Sequence, residues 1–270
     1  MSTMEPEASK ASQSSPSERT PLTIITKIPY GTKSAERFSL FAADWRDQSK
    51  PLAILVPGMW QSLKERNIYS GVARALVEDG LTVAMVEYSP LGARWPRQLS
   101  DLQRAVPVIC SEAKALGGDA ERLLLVGDGL GAFLVDQLLV AQAEDVWLSP
   151  RTAGICGFIA VDGLWDEGSW PLLGSKHPLR RLITEARTWQ ELRLLPAEGL
   201  KLPPGFLVQV GPKGSEATER FAIQAKQRGS AITVHARYEG GTRIWRGISR
   251  KDHPLRVSWR PWLRSVTDIG

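Results

Sequence analysis

The chain has 270 residues, 43% hydrophobic and 23% charged, which excludes a wholly disordered chain, a collagen and a coiled coil. Two cysteines, Cys110 and Cys156, and three scattered histidines exclude a disulfide framework and a Cys-rich zinc site, and they fit a reducing, cytoplasmic setting. The net charge of +5 is a C-terminal property, because residues 237–264 hold eight basic and two acidic groups and leave the rest slightly acidic.

Residues 1–20 are rich in Ser, Glu and Pro and read as a disordered tail without the apolar stretch of a signal peptide. Residues 21–270 read as one domain. Strands are expected at Leu22 to Ile28 and Arg37 to Ala42, joined by the turn Tyr30-Gly31-Thr32, and a doubly buried strand at Leu52 to Val56. A helix at Ile68 to Glu78 stops at Asp79-Gly80, and a strand at Leu81 to Val86 follows. Next come a long amphipathic helix over Pro96 to Leu116, a strand at Arg122 to Val126, a helix at Ala132 to Ala143 and a strand at Gly154 to Val161. Residues 163–200 break the alternation and read as a short cap or excursion. Gly205 to Val210, Glu216 to Arg228 and Ile232 to Tyr238 resume strand, helix, strand, and a last helix lies near Leu255 to Arg264. This order gives an α/β class: a doubly wound, mostly parallel sheet with an antiparallel first hairpin and ligands at the carboxyl ends of its strands. No apolar run reaches the ~18 residues of a membrane span. The Arg and Trp of residues 237–264 lack a nucleic-acid motif, so a helix with solvated arginines and inward tryptophans is expected there, and neither nucleic acid nor membrane is an expected partner.

The segment Leu123-Leu-Leu-Val-Gly127-Asp128-Gly129-Leu130-Gly131-Ala132 turns a strand directly into a helix. Small residues two before and two after a central position permit the sharp turn of a nucleophile elbow, Gly-x-Ser-x-Gly, and here the apex is Gly129. Further motifs stand in order around it: Ile28-Pro29-Tyr30-Gly31, Val56-Pro57-Gly58-Met59-Trp60-Gln61, Glu87-Tyr88-Ser89-Pro90, Gln98-Leu99-Ser100-Asp101-Leu102 and Gly117-Gly118-Asp119. Over about residues 27 to 245 the chain thereby resembles the α/β-hydrolases, and among them the small esterases and kynurenine formamidases. The resemblance implies an α/β-hydrolase fold and an acyl-hydrolase ancestry.

Carried across position by position, it also implies a degenerate catalytic set. The His and first Gly of the family's His-Gly-Gly-x-Trp-Gln motif fall on Val56 and Pro57, and proline has no N–H to give an oxyanion. The nucleophile falls on Gly129 and the residue before it on Asp128. The acid's place after the seventh strand, Gly211 to Ser215, has no Asp, and the base's place after the eighth, Gly240 to Trp245, has no His. Deleting the serine of such a system costs on the order of 10⁶ in turnover, so ester hydrolysis by that route is not expected.

Other residues of the sequence also carry groups capable of chemistry. Asp128 in a dehalogenase-like role needs small residues where Val126 and Leu130 stand. Asp162 and His253 form a conceivable acid and base, against a plainer reading in which Asp162 caps a turn with Gly163 and His253 caps the last helix. His177 reads as a loop residue, His235 as a strand residue, and the cysteines as buried thiols. Gly127-x-Gly129-x-x-Ala132 also fits a dinucleotide fingerprint, but it follows the fifth strand instead of the first, so no cofactor is expected. Trp60, Trp165 and Trp245 fall in loops after strands, as does Trp170, read as core cover. With Met59, Gln61, Gly129 and Leu130 the first three outline an apolar, aromatic cleft whose polar groups are Gln61, Asp128, Asp162 and the amides of Met59 and Leu130. The expectation is a protein that has lost hydrolysis and acts as an isomerase or cyclase on a small apolar or aromatic molecule in biosynthesis. The alternatives are a non-catalytic binder of a ligand or partner, and an active arylformamidase or esterase with an unrecognised nucleophile. The oligomeric state is left open.

Overall fold

The structure is a computed structural model that describes residues 21–43, 49–58, 63–90, 93, 95–145, 154–163, 165, 192–210, 215–238 and 244–269. The tail 1–20, most of the 163–200 excursion, His177, Trp170 and the stretches 211–214 and 239–243 lie outside the described residues, as do Met59, Trp60 and Gln61.

Eight strands form one sheet: β1 Leu22–Pro29, β2 Arg37–Ala43, β3 Lys50–Val56, β4 Thr82–Val86, β5 Gly118–Asp128, β6 Ile155–Val161, β7 Gly205–Val210 and β8 Ile232–Tyr238. Their spatial order is β1-β2-β4-β3-β5-β6-β7-β8. β2 runs antiparallel to β1 and β4, and every other pairing is parallel. The crossover helices among the described residues are α1 Leu63–Glu78, α2 Arg97–Lys114, α3 Leu130–Ala143 and α4 Ser215–Gln227, and α5 Pro254–Thr267 closes the fold.

The central strands are apolar throughout because both faces are covered. Leu52, Ile54 and Val56 of β3 and Leu123 and Leu125 of β5 pack toward α2, α3 and α4. Their alternating neighbours, among them Ala53, Leu55, Leu124 and Val126, pack toward α1 and α5. With a side-chain period of two, Asp128 at the end of β5 falls on the α1 and α5 face. The antiparallel opening pair is the expected hairpin, with Tyr30 after β1 donating its hydroxyl to the Glu87 carbonyl at 2.7 Å.

The boundaries differ from the sequence expectation by four or more residues at two places. β5 begins at Gly118, four residues earlier than expected, because the two glycines read as a helix stop also open a strand whose first residues pair with Lys50 and Pro51 of β3. α1 begins at Leu63, before its apolar periodicity starts.

Candidate functional site

Where β5 ends the chain reverses into α3 through a single residue. Gly129 has φ +52° and ψ −113°, a conformation nearly reserved for glycine, and it precedes the first helical residue, Leu130. A Cβ at Gly127 would stand 2.5 Å from Ala132 Cα, and one at Gly131 would overlap the Val56 carbonyl oxygen. Both flanking glycines are therefore demanded by close approach, which accounts for the glycine pattern without a dinucleotide. At Gly129 a Cβ would meet nothing within 4 Å among the described residues. The elbow is present, and the residue at its apex carries no side chain.

The turn is pinned from several sides. The Gly129 amide donates to the Val161 carbonyl at 2.8 Å, and its carbonyl accepts from the Phe133 amide at 3.2 Å. Asp128, only 6% exposed, accepts at Oδ2 from the Tyr69 hydroxyl of α1 at 2.7 Å and from the Trp245 indole Nε1 at 2.8 Å. The Gly58 amide donates to the Tyr69 hydroxyl at 3.1 Å, and the Tyr88 hydroxyl donates to the Pro57 carbonyl at 2.8 Å. A continuous chain, Trp245 to Asp128 to Tyr69 to Gly58, thus ties the segment after β8, the elbow, α1 and the loop after β3 together. Sequence reasoning missed Tyr69 and read Tyr88 only as part of a motif. The available signal was Tyr69's place near the start of α1, at the end of the sheet where the elbow lies.

The electrostatics follow from burial. Asp128 is pushed up to about 6, first by desolvation, with the nearby charge of Asp162 adding to it and the two hydrogen bonds pulling the other way. Burial also raises the Asp162 carboxyl and the hydroxyls of Tyr69 and Tyr88.

The remaining sequence candidates divide. Asp162 follows β6 in the left-handed region, φ +53°, and its amide donates to the Val208 carbonyl at 3.1 Å. His253 sits at the N-cap of α5, where Nδ1 accepts from the Leu255 amide at 3.3 Å. Among the described residues no hydrogen bond joins His253 to Asp162 or Asp128. Trp165 is buried against Phe221, ring centroids 4.4 Å apart, and Trp245 is buried against Trp259 with its N–H committed to Asp128. Leu130 is buried, and its amide heads a helix whose first N–H groups have no intrahelical partner. Elsewhere His235 stacks on Phe206 and the thiols of Cys110 and Cys156 are raised by burial. No group of His, Cys, Asp and Glu among the described residues is arranged to hold a metal ion.

The strand order, the helices on both faces and the elbow after β5 decide the architecture. The fold is that of the α/β-hydrolases. Solved structures agree: esterase B from Lactobacillus rhamnosis superposes with a TM-score of 0.74 at 16% identity over 93% of this chain and 88% of that one. A bacterial heroin esterase superposes with a TM-score of 0.69 at 16% identity over 92% and 86%. A probable isoprenylcysteine alpha-carbonyl methylesterase of Oryza sativa subsp. japonica is 27% identical over 122 residues, 44% of this chain. The match spans 28% of that relative's length. No family model matches the chain. Among the described residues no helix is long and apolar enough to cross a membrane.

Proposed function

We propose that this α/β-hydrolase-fold protein has left ester hydrolysis and uses its elbow cleft to bind a small apolar or aromatic molecule. The observation that carries this is Gly129: the backbone keeps the sharp strand-to-helix conformation of a nucleophile elbow, a Cβ at its apex would meet nothing within 4 Å among the described residues, and the residue there has no hydroxyl. The neighbouring loop adds to it, since Pro57 has no N–H and the Gly58 amide is spent on Tyr69. Asp128, Tyr69 and Trp245 serve as the brace that keeps the cleft in shape.

A second reading rests on Asp128 itself. A buried carboxyl held near 6 is suited to moving a proton in an isomerisation or cyclisation, a reaction that needs no covalent acyl intermediate. Its two internal donors favour the bracing role, so the binding reading is preferred.

The test is an assay of the purified chain with p-nitrophenyl butyrate and with N-formylkynurenine, alongside labelling by a fluorophosphonate probe. Neither substrate is turned over above the uncatalysed rate, and no covalent adduct appears by intact mass. An adduct, or turnover abolished by the probe, would overturn the proposal in favour of an esterase or arylformamidase with another nucleophile. Mass spectrometry of the gently purified protein is expected to show a retained apolar metabolite.

A further inference from the structure

A second cavity of about 750 Å³ lies between α4 and residues 193–198, within the size of a small-molecule site. Its wall is held open by specific bonds. Gln137 Nε2 donates to the Arg193 carbonyl at 2.6 Å, the Ala197 amide donates to the Glu144 carboxylate at 2.8 Å, and the Arg228 guanidinium donates to the Pro196 carbonyl. Trp165, steadied by its contact with Phe221, and the buried Leu194 and Leu195 supply an apolar part of the lining. Arg193, Arg220 and Arg228 stand on the same lining against one acid, Glu198.

Arg193 and Arg220 pair with Glu144 and Glu216 at 3.5 and 3.6 Å, and both arginines are more than half exposed. The Arg220–Glu216 pair is exposed on both sides and of a kind that contributes little, and Arg193 meets Glu144 only at 3.5 Å. An indole and leucines below a rim of guanidinium forks match a flat ring carrying a carboxylate, since the ring packs on the apolar lining and the fork pairs with both oxygens. The wall of the cavity follows α3 away from the elbow, from Gln137 in mid-helix, roughly 12 Å along the axis, to Glu144 just past the last residue, roughly 20 Å along it, and Trp165, three residues after Asp162, is its lining residue on the elbow side.

We infer that this cavity is a binding site for an aromatic carboxylate, separate from the elbow cleft. The experiment is calorimetric titration of the full chain with 1-naphthoate and with the uncharged 1-naphthalenemethanol. The carboxylate binds with one equivalent, the alcohol binds at least about tenfold more weakly, and the Arg193→Gln/Arg220→Gln double variant weakens naphthoate by at least about tenfold with its circular dichroism unchanged. Equal affinity for the two probes, undiminished binding by the double variant, or no heat up to millimolar naphthoate would overturn the inference. Loss of naphthoate binding in a folded Gly129→Ser variant would place the probe at the elbow and overturn it as well. Because the two sites are distinct, an active esterase would end the proposed function and leave this inference standing.

Discussion

Two buried aspartates sit at opposite ends of α1 and are held in contrasting ways. Asp79, just past the helix, accepts from the indole of Trp259 at 2.8 Å and is surrounded by cations, with the Arg256 and Arg260 guanidinium groups both on its carboxylate. Asp128 accepts from the indole of Trp245 at the same distance, but its other donor is the neutral Tyr69, and its charged neighbour is Asp162. The two indoles lie 6.5 Å apart, so one aromatic pair serves both carboxylates. Full charge pairing makes a lock, whereas neutral donors alone leave a carboxyl that titrates near neutrality. The first belongs to stability and the second stands at the candidate site.

The comparison breaks most visibly if the lock is opened. Asp79→Ala leaves the wholly buried Arg256 with Glu78 as its remaining carboxylate, and removing one partner of a buried pair costs about 3 to 5 kcal/mol. Urea unfolding should show a loss of that size. A loss below about 1 kcal/mol would mean that Glu78 and water compensate and that the cluster is no lock.

Asp128 should announce itself through pH. Its native pKa, about 6, lies above the ordinary 3.8, so between these values the native state binds more protons than the unfolded chain. Its ionisation therefore penalises folding above pH 6, by about 3 kcal/mol for a shift of this size, and the penalty is relieved as pH falls toward 4. Asp162, raised in the same direction, adds to the trend. The difference in unfolding free energy between wild type and Asp128→Asn should shift in favour of the wild type by about that amount from pH 7 to pH 4. A flat difference would show that Tyr69 and Trp245 stabilise the carboxylate as fully as arginines do.

The contrast between these regions also explains what the sequence disclosed. Strands such as Leu52 to Val56 were readable because a parallel strand buried on both faces is a continuous apolar run, and the elbow was readable because close approach demands glycine at 127 and 131. The brace was not, since Asp128 is separated from Tyr69 by 59 residues and from Trp245 by 117, and no local pattern encodes such contacts. For Trp245 the position after a strand was legible, and its burial with the indole N–H on Asp128 was not. The polar openings of α1 and β5 were lost because periodicity reports burial, and the Asp119 to Arg122 stretch has little.

The elbow itself is sharpened by restoring a side chain. Gly129→Ser meets no steric obstacle among the described residues, but a non-glycine residue at φ +52°, ψ −113° carries about 1 to 3 kcal/mol of backbone strain. The variant should fold with that loss by thermal or urea unfolding and show no turnover of p-nitrophenyl butyrate, because the hydroxyl gains no base. Ester turnover by this single variant would reveal a base and acid poised around the apex and would return the site to hydrolysis.

The smallest effect separates a cap from a catalyst. His253 accepts a backbone N–H at Nδ1, which only the unprotonated nitrogen can do, and burial holds its pKa below the ordinary 6.5. A depressed histidine contributes stability that is present above pH 6.5 and is lost as pH falls through its native pKa, the opposite sign to Asp128. His253→Ala should therefore cost about 1 kcal/mol at pH 8, as the loss of a helix cap does, and less at pH 5. It should leave binding of any metabolite retained at the elbow unchanged. If the variant kept full stability at pH 8 but lost that ligand, His253 would belong to the cleft, and the imidazole would rejoin Asp162 as the acid and base weighed from the sequence.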